Sequence, residues 1–283
     1  MSTPSRSLAR QATRAVVLAV RGGAAQTRED LLAGEEPMAI RACGPGQVPV
    51  DVAVTMRTPG HEAALAAGFL LTEGLIEGGA DIARITFGDP ATHSQPDDEV
   101  TVHLTRPFDP SRVAERHFVA TASCGICGKA SLDEVAVRCA PIPDGPLVDA
   151  DTLLALPGRL REAQAAFELT GGLHAAGRFD AAGRLIDLRE DVGRHNALDK
   201  LLGAALLDGS TPLHGALVLV SGRASFELVQ KAAVAGVPVL CAVSAPSDLA
   251  VATAERLGVT LVGFLRGDGF NVYARPERVR LGG

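Results

Sequence analysis

The stretch Ala216-Leu217-Val218-Leu219-Val220-Ser221-Gly222-Arg223-Ala224-Ser225-Phe226-Glu227-Leu228-Val229 decides the fold class. It opens on an unbroken apolar run, which suits a strand buried on both faces. A tight Ser-Gly turn follows, and Ser225 has the chemistry of a helix N-cap. The spacing predicts a helix over 225–235, a strand over 237–243, a helix over 248–257, a strand over 259–265 and a last short strand over 270–273. Strand and helix alternating at this distance build a largely parallel sheet with helices on its faces.

In such sheets ligands gather beyond the carboxyl ends of the strands. Three turns fall at that edge: Ser221-Gly222-Arg223-Ala224-Ser225, Ser244-Ala245-Pro246-Ser247-Asp248 and Phe264-Leu265-Arg266-Gly267-Asp268-Gly269. Gly222 permits a tight turn. Arg223 and Arg266 offer forked donors, and the helix starts favour anions. Each turn alone is ordinary; together they indicate a phosphate-bearing ligand. None fits G-x-x-x-x-G-K-[ST] or G-x-G-x-x-G, so neither ATP hydrolysis nor a dinucleotide Rossmann site is indicated.

Just upstream, Asp191 is expected to cap a helix whose apolar stripe is Leu198, Leu201, Leu202, Ala205 and Leu206. Asp191, His195 and Asp199 recur at helical spacing. They read either as a face on which an aspartate raises the pKa of His195, or as a salt-linked surface stripe. A helix over 158–170 is predicted to end at Gly171-Gly172. Strands over 173–179 and 184–188 then form a hairpin around Asp180-Ala181-Ala182-Gly183. His174 heads the first of these, placed either at the same edge or in the core.

The first half reads as α+β. A strand over 16–20 follows a loose tail. Met38, Ile40 and Ala42 alternate with polar residues, as do Val48, Val50, Val52 and Val54, with Cys43-Gly44-Pro45-Gly46 turning between them. Thr58-Pro59 is the predicted start of a helix reaching Gly74, with a solvated or capping His61 in its first turn. Residues 89–98 read as a surface loop. Val100, Val102 and Leu104 make another strand, with His103 on its outer face. The prolines and glycine at 141–146 mark a boundary between an α+β domain, 1–145, and an α/β domain, 146–283.

The chemistry of the first domain lies in Ser123-Cys124-Gly125-Ile126-Cys127-Gly128-Lys129. Glycines let the loop bend, while Lys129 and a helix start near Ser131 favour thiolate over thiol. Half a zinc site is the rival reading. Cys43, Cys139 and Cys241 are scattered singly and supply no second pair, so a reactive thiol is favoured and no structural metal is expected.

The whole chain sets limits. Its 283 residues are 47% apolar and 21% charged, which excludes a disordered chain. A net charge of −6 and the absence of tryptophan argue against a nucleic-acid partner. An odd count of five cysteines fits a reducing, cytoplasmic setting. No segment has the uninterrupted apolar length of a membrane span, so no membrane partner is expected.

Read together, several stretches resemble the formate dehydrogenase accessory sulfurtransferase (FdhD) family. They are Ser-Cys-Gly-Ile-Cys-Gly-Lys from 123, Thr-Gly-Gly-Leu-His-Ala-Ala from 170, Glu-Asp-Val-Gly-Arg-His-Asn-Ala-Leu-Asp-Lys from 190, Ser-Gly-Arg-Ala-Ser-Phe-Glu from 221, Val-Ser-Ala-Pro-Ser from 243, Gly-Phe-Leu-Arg-Gly from 263 and Phe-Asn-Val-Tyr from 270. The likeness covers about Val16 to Tyr273. It implies a sulfur carrier with Cys124 as the persulfide cysteine and Cys127 as its partner. A cysteine desulfurase would load it. The cargo would be molybdenum (or tungsten) bis(molybdopterin guanine dinucleotide), sulfurated before insertion into formate dehydrogenase, with GDP as a surrogate ligand. Phe264, Leu265, Arg266, Gly267, Asp268 and Gly269 match the family's cofactor-binding segment. The implied fold is a cytidine-deaminase-like α/β domain, homodimeric, beside a smaller α+β domain carrying the C-x-x-C loop. Deaminase chemistry does not carry over, because His174-Ala175-Ala176 lacks the glutamate of H-x-E and no P-C-x-x-C follows. The alternative is a thiol-disulfide oxidoreductase or a redox-sensing nucleotide-binding module, although the thiol pair does not sit in a βαβ pattern.

Overall fold

The computed structural model describes residues 11–88, 96–113 and 139–282. At the start, β1 (Ala12–Arg21) and β2 (Ala24–Ala33) form an antiparallel ribbon. Then β3 (Glu36–Cys43), β4 (Val50–Arg57), β5 (Ile82–Phe87) and β6 (Glu99–Leu104) make a four-stranded sheet in the order β4-β3-β6-β5. The alternation read from sequence gives that sheet one apolar face, where Met38, Ile40, Val100 and Val102 are fully buried against α1 (Glu62–Thr72). The opposite face carries His103, whose ring lies 3.3 Å from Cys43 Sγ and 2.9 Å from Thr86 Oγ1.

The second half opens with β7 (Val148–Asp149), α2 (Ala150–Ala163) and α3 (Ala165–Thr170). Next come β8 (His174–Phe179), β9 (Leu185–Asp191) and α4 (Arg194–Leu207). The alternating region supplies β10 (Leu217–Val220), α5 (Phe226–Val234), β11 (Val239–Ala242), α6 (Asp248–Leu257), β12 (Thr260–Arg266) and β13 (Gly269–Ala274). Six strands order as β13-β12-β11-β10-β8-β9. Only β10, β11 and β12 run parallel; β13 and β8 flank them antiparallel. The chain-terminal β14 (Val279–Arg280) pairs with β7.

The unbroken apolar run at 216–220 has a direct explanation. Leu217 and Leu219 face α2, where Leu153, Leu156 and Leu160 are buried, while Val218 and Val220 face the other core with α4 and α5. Alternate residues of one strand serve two cores, so neither set can be polar. The larger core runs from Met38 to Ala274 and joins both halves. Its tightest point is the crossing of α1 and α4. A Cβ on Gly68 would overlap the Asp199 carbonyl, and one on Gly203 the Ala64 carbonyl, so the helix backbones touch.

Three local expectations change. Thr58-Pro59 does not start a helix: α1 begins at Glu62, behind a left-handed His61 (φ 63°). Thr58 is fully buried and bonds across to the second half instead. Asp191 ends β9, and the N-cap of α4 is Gly193. The helix expected over 158–170 is two, divided at Gln164; the first begins at Ala150 and carries Pro157 inside it. Proline there forfeits one backbone bond, but Leu153, Leu156 and Leu160 form a buried stripe that keeps the helix going.

Candidate functional site

Backbone hydrogen bonds stitch the three turns at the sheet edge to one another. Ala224 N donates to Ala245 O at 3.2 Å, Ser247 N to Ala224 O at 3.0 Å, and Phe264 N to Ser244 O at 3.2 Å. Ser221 joins them to β8: its N donates to Ala175 O at 2.9 Å, and its Oγ accepts from Ala175 N at 2.9 Å. His174 is thereby held over the 221–225 turn. A Cβ placed on Gly222 would lie 3.5 Å from the His174 ring and 3.8 Å from Arg194 Cδ. These are ordinary contact distances, so the His174 ring and the Arg194 side chain pack directly over this turn.

Cations collect around that turn. Arg194 is the first residue of α4, and its buried Nε has no hydrogen-bond partner among the described residues. A desolvated guanidinium donor without an acceptor is costly unless a ligand supplies one. Arg223 is exposed on the neighbouring turn. Burial and the charge of Arg194 push His174 below the ordinary histidine range, so it is neutral at pH 7 and can take up a proton when an anion arrives.

The third turn is shaped by backbone strain. Phe264 has φ 53° and Gly267 φ 62°, and the pairing of β12 with β13 is irregular between Gly263 and Arg266. A non-glycine residue in the left-handed region beside a bulge is costly and recurs at binding sites. Arg266, Gly267 and Asp268 are exposed, with the Arg266 guanidinium 5.5 Å from the Phe264 ring centroid. Phe264 and Gly269 are half-buried, and Leu265 is fully buried, so it offers only its backbone to a ligand.

The model of the FdhD/NarQ family matches residues 33–280. The chain belongs to that family. It is 50% identical over 280 residues to "Sulfur carrier protein FdhD" of Streptomyces avermitilis, covering 97% of this chain and 98% of that one. A protein of the same name from Sulfurisphaera tokodaii is 40% identical over 95% of this chain and 99% of its own. Among solved structures, a putative formate dehydrogenase accessory protein from Desulfotalea psychrophila superposes with a TM-score of 0.71 at 25% identity, covering 95% of this chain and all of that one.

In this FdhD/NarQ chain the acidic residues predicted to share a face with His195 go elsewhere. Asp191 is fully buried; it accepts from Thr58 N at 3.1 Å and Gly193 N at 2.8 Å, and pairs with Lys200 Nζ at 2.7 Å. Asp199 pairs with Lys231 at 2.9 Å and accepts from Thr72 Oγ1 at 2.8 Å. Burial alone would lower the Lys231 pKa, but Asp199 and Glu73 outweigh it and keep the amine charged. His195 instead places Nε2 2.9 Å from Glu227 Oε2 and 3.4 Å from Ser225 Oγ. Both contacts use the same ring nitrogen, so this trio is not a serine–histidine–carboxylate relay, which needs both nitrogens.

Cys124 and Cys127 lie outside the described residues. The other thiols fit poorly as nucleophiles. Cys43 and Cys241 are buried, burial pushes the Cys241 pKa up to about 12, and burial raises Cys139 as well. No group of three metal-ligating side chains occurs among the described residues. No described helix is long and apolar enough to cross a membrane. The site residue that the sequence reading did not single out is Arg194. Its signal was there: a cationic residue directly after a glycine, at a helix start facing the strand edge.

Proposed function

We propose that this protein is a sulfur carrier in the maturation of formate dehydrogenase. The reading rests on membership of the FdhD/NarQ family and on one structural observation. Arg194, whose buried Nε has no hydrogen-bond partner among the described residues, packs against the Gly222 turn at an edge where three turns converge. Such an edge suits the phosphates of a nucleotide-bearing cargo. That cargo is the molybdenum or tungsten bis(molybdopterin guanine dinucleotide), held by Ser221, Gly222 and Arg223 together with Phe264, Leu265, Arg266, Gly267, Asp268 and Gly269. The helices on both faces of the six-stranded sheet support a cytidine-deaminase-like reading of this half, and the family likeness supports a cytoplasmic homodimer.

The sulfur step uses the thiol loop. The Cys124 thiolate attacks the outer sulfur of a cysteine desulfurase persulfide. A new S–S bond forms on Cys124, and the desulfurase cysteine leaves as a thiolate, so no outside oxidant or reductant is consumed. The S–S bond to Cys124 would then break, with Cys124 leaving as a thiolate and the outer sulfur taken up as sulfide by the metal of the cargo, which would supply the two electrons. Without an acceptor, Cys127 can displace hydrosulfide from the persulfide and close a disulfide.

Mass spectrometry after incubation with a desulfurase and cysteine tests this. The wild type is expected to gain one sulfur atom on Cys124, and Cys124→Ala to gain none while binding GDP normally. Because Cys127 can resolve the persulfide, the deciding variant is Cys127→Ala: its failure to gain a sulfur atom on Cys124, alongside a Cys124–Cys127 disulfide in the wild type, would favour the thiol-disulfide oxidoreductase instead.

A further inference from the structure

β9 is the end strand of the six-stranded sheet, and among the described residues it pairs with β8 alone. The direction of its backbone groups follows from Ser221, which binds both the N and the O of Ala175 and so turns Ala175 toward β10. Successive residues of a strand turn to opposite neighbours. Ala176 therefore faces β9 and pairs with Arg189, which leaves Leu188 and Glu190 facing away from the sheet. Ile186, at the near end of this edge, is 53% exposed. Beyond Glu190 the edge is occupied, since Val192 N donates to Thr58 Oγ1 at 3.1 Å. The free stretch is residues 186–190, the length of an ordinary strand.

An unpaired strand edge is a template for another chain. Here its own side chains close it. Leu188 N donates to Asp187 Oδ1 at 2.8 Å, and Arg189 Nη1 donates to Leu188 O at 2.7 Å. Asp187 and Arg189 also pair with each other. A carboxylate oxygen and a guanidinium nitrogen thus do for Leu188 what the C=O and N–H of a neighbouring strand would do.

We infer that the outer edge of β9 is a pairing edge for the same strand of a second copy, and that Asp187 with Arg189 is the latch that closes it in the single chain. A two-fold axis through Leu188 sets antiparallel strands with position 187 of one copy opposite position 189 of the other. Asp187 then meets the partner's Arg189, and Arg189 the partner's Asp187. Each ion pair within a chain is exchanged for one between chains, so none is lost. Leu188 exchanges its two side-chain bonds for two backbone bonds to the partner's Leu188. Opposite charges directly across antiparallel strands favour pairing, and like charges oppose it. This charge order complements itself, which is why the occupant is a second copy. The contact gives the homodimer reading a surface, and its failure leaves the sulfur and cargo readings as they stand.

Charge reversal tests the register. Asp187→Arg leaves two arginines on the edge and Arg189→Asp two aspartates. Neither variant can latch, and each meets like charge in its own copies. Mixed, the two variants set arginine opposite aspartate at both positions. In sedimentation of the full chain at about 0.1 mM, where weak contacts register, the mixture is expected to form a species about twice the mass of either variant alone. A mixture that sediments as the sum of its components overturns the pairing. Association of either variant by itself beyond the wild-type mass also overturns it, because these charges would then not set the register. The latch is read on the wild type, where no variant has to fold. In dilute solution the Leu188 amide is expected to exchange its hydrogen at least about tenfold more slowly than an unbonded amide. Exchange at the unbonded rate would refute the latch and the inference with it.

Discussion

The crossing of α1 with α4 and the edge of the six-stranded sheet both gather charged side chains, and they treat them in opposite ways. At the crossing each buried charge is answered. Asp191 meets Lys200, and Asp199 meets Lys231, with Thr58 and Thr72 taking up further hydrogen bonds. At the edge, Arg194 Nε has no acceptor among the described residues, and Arg223 stands exposed on the adjoining turn. The two regions share an element: α4 begins at the edge and carries Lys200 and Asp199 into the crossing. Paired charges there fix the helix, and the fixed helix presents the Arg194 guanidinium a short way off. Charges that are spent hold the fold, whereas charges left over are available to a ligand.

That contrast predicts which variants harm stability and which harm binding. The largest effect is expected from Lys200→Met. It leaves the Asp191 carboxylate buried without its cation, and loss of about 3–5 kcal/mol is expected in chemical denaturation. An unchanged denaturation midpoint would show that the crossing does not depend on its ion pairs. Gly203→Ala should cost about 1–3 kcal/mol or more by the same measurement, since its Cβ overlaps the Ala64 carbonyl and must push α1 from α4.

At the edge the order reverses. Arg194→Ala should leave the melting temperature unchanged, or raise it slightly as an unsatisfied donor is lost. It should weaken GDP about tenfold, the scale of one hydrogen bond to a charged group. A destabilised variant with normal GDP affinity would erase the distinction between the two regions. The smallest effect concerns pH. The folded pKa of His174 lies below its ordinary value, so the neutral form dominates at pH 7 and stability falls as pH drops through the window below about 6.5. An anion beside the ring draws the proton on. Wild-type GDP affinity, measured relative to His174→Gln, should therefore rise as pH falls from 7 to 6, by less than about tenfold. A ratio that does not change with pH would place the phosphates away from this ring.

Much of this architecture was legible from residue order. The apolar runs, the helix end at Gly171 and the turn at 180–183 fall where they were expected, and α6 runs over Asp248–Leu257 as predicted, with Ser247 Oγ accepting from Ala250 N at 3.2 Å. The misread positions have a common cause. Thr58 and Asp191 are residue types that cap helices locally, and each was read as a cap. Both are instead spent on one another: Thr58 N donates to Asp191, and Val192 N donates to Thr58 Oγ1 across more than a hundred residues of chain. A local preference gave way to a long-range partner. The strand direction was overstated for a similar reason, because buried apolar strands look alike whether their neighbours run parallel or antiparallel.

The sequence by itself determined the fold class, the family, the convergence of three turns on one edge and the cysteine pair proposed to carry sulfur. Apolar period, turn chemistry and motif order are local quantities, and a linear chain displays them openly. Only the tertiary structure decided which polar groups are used up and which are left over. Arg194 and Lys200 lie six residues apart on one helix, and nothing in their spacing separates them. Lys200 faces a buried carboxylate and Arg194 packs against the Gly222 turn, because burial and pairing depend on what the rest of the chain brings alongside.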